Sequence, residues 1–202
     1  MEPATNQTDI EPDEIENVES RIQDLLNTGF HTKSELIESA IDCFRMNDLG
    51  DHPDVPQESD RIVQTLWAEQ LRTQSEWLDS EFEDNVKLQA AFDNLARKGI
   101  VARMHFMYTQ QSADFNIVNE ASSTDHGFAY FHAQDTEKAA NGFGLIIRFG
   151  ALNFDDAVTV TVGKQVVEAL KNAGLRVRWN GNPDMVIIIK PFKWRRKLPV
   201  EN

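Results

Sequence analysis

The densest run of reactive side chains in this sequence is Tyr130-Phe131-His132-Ala133-Gln134-Asp135-Thr136-Glu137. On a strand followed by a turn, His132, Asp135 and Glu137 could converge as an acid–base set, with an imidazole and two carboxylates sharing proton transfers. The same run has a plainer use. Asp135 or Thr136 can cap a short helix reaching about Asn141, with His132 packing or hydrogen-bonding locally. Capping accounts for Asp135 without any chemistry, so an enzyme centred on these three residues is the alternative reading here, not the first.

His105 and His126 could join His132 around a metal, since imidazole suits zinc and copper. Nothing in their spacing requires it, and the single cysteine, Cys43, gives no thiol set to help. No metal or cofactor is therefore expected. Cys43 falls beside the apolar face of a helix, where a thiol usually packs inertly. The sequence contains no phosphate-binding loop of the G-x-x-x-x-G-K-[ST] type, no G-x-G-x-x-G turn and no G-x-S-x-G elbow. Gly142-Phe143-Gly144 follows an expected helix and leads into a strand, the wrong order for cradling a phosphate. Ser122 to Asp125 reads as turn chemistry.

The elements that must position these groups fall in two stretches. A helical period runs through Ile15, Val18, Ile22, Leu25 and Leu26, with Gly29 placed to end it. Ser34 opens a second helix carrying Leu36, Ile37, Ala40, Ile41 and Phe44. A third, capped at Ser59, carries Ile62, Val63, Leu66, Trp67 and Leu71, and a fourth spans about Asn85–Lys98. From Ile100 the pattern changes to strands at 100–107, 128–132 and 145–149. A long helix over about 155–172 follows, then a hairpin joining 175–179 to 185–190 through Asn180-Gly181-Asn182-Pro183. The expected fold class is α+β: an N-terminal helical layer or small bundle, then a mixed or antiparallel sheet of about five strands with one long packed helix. The expected divisions are a disordered acidic lead-in at 1–12, a helical region at 13–98 and an α+β domain at 99–202.

Several of the later pieces resemble an uncharacterised bacterial family known only as a domain of unknown function. They are Gly99-Ile100-Val101-Ala102-Arg103, Gly127 through the Gln134-Asp135-Thr136-Glu137 run, Leu175 to Gly181, and Trp194-Arg195-Arg196. The resemblance covers roughly residues 85–197. Members of that family look as if they carry a Cys-Cys-x-x-Cys-Gly group, whose positions here hold Tyr108, Thr109, Ser112 and Ala113. Any metal or redox role of those sulfurs is closed to this chain. The resemblance implies a fold neighbour and no reaction.

Charge gives the first functional expectation. The chain carries 33 acids against 20 Lys and Arg, a net −13. Residues 1–60 hold 16 acids and 3 bases, while 61–98 sum to −2 and 99–202 to +2. Such a surface repels nucleic acid and anionic lipid and attracts a basic protein at long range. The first residues are acidic, unlike a secretory or mitochondrial leader, and the apolar runs are too short to span a bilayer, which points to the cytoplasm. The expected function is thus an acidic protein-binding protein, an immunity-type inhibitor of a basic toxin or enzyme being its specific form, with a scaffold role beside it. The expected partner-binding residues are Glu11, Asp13, Glu14, Glu16 and Glu19, with Trp67, Trp77 or Phe82 as exposed anchors. The basic tail, Lys193 to Lys197, is expected to fold back on the acidic first third.

Overall fold

The computed structural model describes residues 10–200 of the chain. They form two compact units, one built from residues up to 77 together with the segment from 197, the other from 78–196. Of the lead-in expected at 1–12, residues 1–9 lie outside the described residues; Ile10 packs against the first unit's core.

The first unit holds three helices, α1 (Pro12–Thr28), α2 (Lys33–Met46) and α3 (Val55–Ser75). Pro12 sits in the first turn of α1, where its missing N–H leaves no bond unmade, and Gly29 ends the helix at φ +71°. A capping box starts α2: the Thr32 hydroxyl accepts the Glu35 N–H at 3.3 Å, and the Glu35 carboxylate accepts the Thr32 N–H at 2.8 Å. Helix α3 begins four residues before the expected Ser59 cap. Pro56 takes its first turn, and Ser59 is buried inside the helix. Val18, Ile22, Leu26, Leu36, Phe44 and Ile62 meet in the core, each contributing on the order of 1.5–3 kcal/mol by burial. Leu198 completes that core, and its N–H donates to Gln74 Oε1 at 3.0 Å. Trp67 is 4% exposed and belongs to the same core, which corrects its expected place as an exposed anchor. The spacing that puts it on the apolar stripe of α3 is what buries it.

The second unit is α+β, with a five-stranded mixed sheet. Its elements are α4 (Glu83–Arg97), β1 (Ile100–Arg103), α5 (Gln110–Ile117), β2 (Gly127–Tyr130), α6 (Ala133–Ala140), β3 (Leu145–Ala151), α7 (Asp156–Asn172), β4 (Val177–Arg178) and β5 (Ile187–Ile189). The strand order is β1-β2-β3-β5-β4; only the β1–β2 pair is parallel. Helix α4 packs on β1 and α7, so it belongs with the sheet rather than with the helices before it. The unit boundary therefore falls at 77/78, not at 98/99. Helix α7 lies so close to β3 that a Cβ on Gly163 would stand 2.6 Å from the rings of Phe149 and Trp179. Helix α5, placed in a stretch where no helix is expected, covers the opposite face through Ala113 and Ile117, which pack with Val101 and Tyr130.

Candidate functional site

The Gln-Asp-Thr-Glu run folds as α6, and that decides what its side chains can do. His132 is the N-cap: its Nδ1 accepts the Asp135 N–H at 3.2 Å, while Asp135 Oδ2 accepts the His132 N–H at 3.3 Å. With Nδ1 accepting, the ring proton sits on Nε2, 3.3 Å from the same carboxylate. His132 is 3% exposed. Burial pushes its pKa below the ordinary value, against the pull of Asp135 in the other direction, so the ring is held neutral. The Thr136 hydroxyl donates to the His132 carbonyl at 3.2 Å and lies 2.9 Å from His105 Nδ1. Glu137 stands two positions past Asp135, about 200° around the helix, and is carried away from the pair. The structure thus joins His132 to Asp135 in a sealed cap and leaves Glu137 elsewhere.

Asp135 also faces the sheet, where its Oδ2 accepts from Arg148 Nη1. Arg148 sits in the apolar run Leu145-Ile146-Ile147-Arg148-Phe149, and its charge there is matched by the fully buried carboxylate. The strand register sets Arg103, Tyr130 and Arg148 in one row across β1, β2 and β3. Arg103 turns outward to Glu120 at 3.0 Å. The Tyr130 hydroxyl donates to Asp114 Oδ1 on α5, and Asp114 Oδ2 accepts from Gln110 at 3.2 Å. Burial, reinforced by the Asp114 carboxylate, pushes the Tyr130 phenol above its ordinary pKa and keeps it protonated. Two buried atoms of the cluster, Asp135 Oδ1 and Arg148 Nε, have no hydrogen-bond partner among the described residues.

This cluster underlies a cavity of about 360 Å³. Its lining includes the polar Arg148 and Asp114, the aromatic Phe128 and Phe154, and Asp184 and Met185 of the β4–β5 loop. Gly150 makes room for Phe128: a Cβ there would meet the ring at 2.5 Å.

The three histidines do not converge. His126 Nε2 meets Gln165 of α7 at 3.0 Å, while His105 meets Thr136, and among the described residues no three His, Cys, Asp or Glu side chains are arranged to hold a metal. Of the five acids expected to meet a partner, Glu11, Asp13 and Glu16 are exposed; Glu14 accepts from Asn47 at 2.6 Å and Glu19 meets Arg61 at 3.4 Å. Trp77 and Phe82 are half-buried. The basic tail finds acids at Glu81 and Asp84, within the sheet unit. Lys193 pairs with Glu81 and donates its N–H to Asp84 at 2.8 Å, and Trp194 is buried edge-on to Phe131 with centroids 6.0 Å apart.

The family model described as Domain of unknown function (DUF6891) matches residues 11–198. The chain belongs to this family. The DUF6891 match takes in the three-helix unit as well as the sheet, well beyond the 85–197 that the motif resemblance covers. No curated protein and no solved structure matches the chain. At the positions compared with thiols, this DUF6891 member carries a helix start: Thr109 and Ser112 form the capping box of α5, and Ala113 is buried beneath it.

Sequence reasoning passes over Arg148 and Asp114, and gives Tyr130, though it heads the reactive run, no role. A lone arginine inside a five-residue apolar run was the available signal, because a charge in that setting needs a buried partner.

Proposed function

We propose that this protein is a non-catalytic binding protein whose acidic three-helix unit docks on a basic protein in the cytoplasm, an immunity-type inhibitor of a basic toxin or enzyme being the specific form. The observation that carries the reading is the division of charge between the two units. The three-helix unit holds 19 acids and 6 bases, a net −13, whereas the sheet unit holds 14 of each. Concentrated in this part of the chain, that excess produces a field that speeds association with a cationic surface and penalises wrong partners. Glu11, at the N-cap of α1, and Asp13 and Glu16 within it are exposed and open to a partner. In place of buried Trp67, the exposed Met46 and Leu71 offer the apolar contacts such an interface needs at its centre.

The test is an affinity capture from the source cell at low and at high salt, followed by association kinetics with the isolated partner. A single stoichiometric basic protein, released at high salt and inhibited when bound, is the expected result. Reversing Glu11, Asp13 and Glu16 to Lys should slow association by about tenfold or more at low salt. An unchanged on-rate in that variant removes the electrostatic argument.

A second reading, an enzyme with its centre near His132 and Asp135, draws on one observation: both contact the cluster beneath the cavity. Its reacting groups would have to be Arg148 and Asp114, which line the cavity, because His132, Asp135 and Tyr130 are sealed. A substrate-dependent thermal shift lost in Asp114→Asn would favour it.

A further inference from the structure

We propose that the cavity over β3 is a binding site for an organic cation, a guanidinium or ammonium group carried on an apolar stem. The volume of about 360 Å³ suits a ligand the size of an amino-acid side chain. Its electrostatics favour a positive charge. The one cation in the lining, Arg148, is already neutralised by buried Asp135, whereas Asp114 and Asp184 both present carboxylates. The Asp184 side chain makes no hydrogen bond or ion pair among the described residues. Its counter-charge is therefore available to a ligand.

The walls suit the stem. Phe154 is 76% exposed and Met185 50%, large apolar surfaces of the lining that the fold leaves uncovered. Phe154 is also held at φ +58° by the tight turn in which its N–H donates to the Ala151 carbonyl. A bulky aromatic in left-handed backbone costs about 1–2 kcal/mol, and such strain persists where surrounding structure imposes it, often at ligand sites. Behind the turn, Asp155 caps α7 and accepts the Val158 N–H at 2.9 Å, which fixes the turn's exit. An aromatic face within reach of a cation adds attraction to the two carboxylates. The site lies wholly in the neutral unit and stands whether or not the acidic unit docks a basic protein.

The full chain is titrated calorimetrically with agmatine, with 2-phenylethylamine, and with 3-phenylpropionate as an apolar anion of similar size. Saturable 1:1 binding of the cations and none of the anion is expected, with Asp184→Asn and Phe154→Ala each weakening the cations about fivefold. Both substituted side chains are exposed, so the fold is not at stake. A capped Ala-Arg-Ala peptide separates the two sources of such a cation. Peptide binding as tight as agmatine assigns an arginine side chain of a protein, and agmatine binding alone assigns a free amine. No saturable cation binding, equal binding of the anion, or unchanged affinity in both variants overturns the proposal.

Discussion

Replacing Arg148 by Met tests the energetic core of the cluster. The substitution keeps an unbranched side chain in β3 but strands Asp135, whose side chain is 0% exposed, without its cation. Removing one partner of a buried pair costs about 3–5 kcal/mol, because the remaining charge stays in a medium that solvates it poorly. Asp135 keeps the His132 N–H as a donor, which places the expected loss nearer about 3 kcal/mol than 5. For a unit of roughly 120 residues, each kcal/mol moves Tm by about 4 °C, so the drop is on the order of 12 °C. The companion variant, Asp135→Asn with Arg148→Met, leaves an amide oxygen to cap α6 and no buried charge. It should recover about 2 kcal/mol of that loss. Urea unfolding followed by far-UV circular dichroism of wild type, both single variants and the double closes the cycle. A single Arg148→Met within 1 kcal/mol of wild type, or a double no more stable than that single, would refute the view that the pair is strongly coupled.

Three further outcomes follow from the same geometry. In a Tyr108→Phe background Tyr130 is the remaining tyrosine, and its tyrosinate absorbance should appear only as the protein unfolds; because the folded phenol holds its proton above the ordinary value of 10.0, stability falls as pH rises past that value. His132 runs the other way: its folded pKa lies below 6.5, so the stability it contributes is present above 6.5 and is lost as pH falls. His132→Asn, which can still cap α6, should show a smaller difference in urea midpoint between pH 5 and pH 7.5. Gly163→Ala would gain about 1 kcal/mol in helix propensity on an open surface, but here the methyl meets Phe149 and Trp179, and a net destabilisation of about 1–3 kcal/mol is expected from thermal unfolding.

The helices and strands were legible where periodicity is strong. Val18, Ile22, Leu25 and Leu26 mark one face of α1, and Gly29 and Gly174 stop helices at positive φ. The five-stranded sheet and its hairpin follow from the alternation and turn residues of the second half. Three things were hidden, each for a physical reason. Helix α5 is polar and begins with Thr109 and Ser112 in a reciprocal cap, so neither an apolar stripe nor an acidic first turn announces it. The affiliation of α4 is invisible because an amphipathic period tells that a helix has a partner, not which core supplies it. The meeting of Asp135 with Arg148 depends on strand register and on α6 lying against β3. His132 and Asp135 were found as residues, but their use as a reciprocal cap required the helix to start at His132 itself.

The route of the chain has a consequence for the order of events during synthesis. The sheet unit is inserted between the three helices and the segment from 197 that returns to them, and Leu198 both fills the helical core and bonds Gln74. At roughly 5–20 residues per second, the ribosome needs on the order of 6–24 s to make the intervening stretch. Throughout that interval the helices emerge first yet lack their last core side chain, while every residue of the sheet unit is made before Leu198. The three-helix unit is made before the sheet unit yet finishes folding after it, and a truncation ahead of Leu198 would damage helices made long before the break.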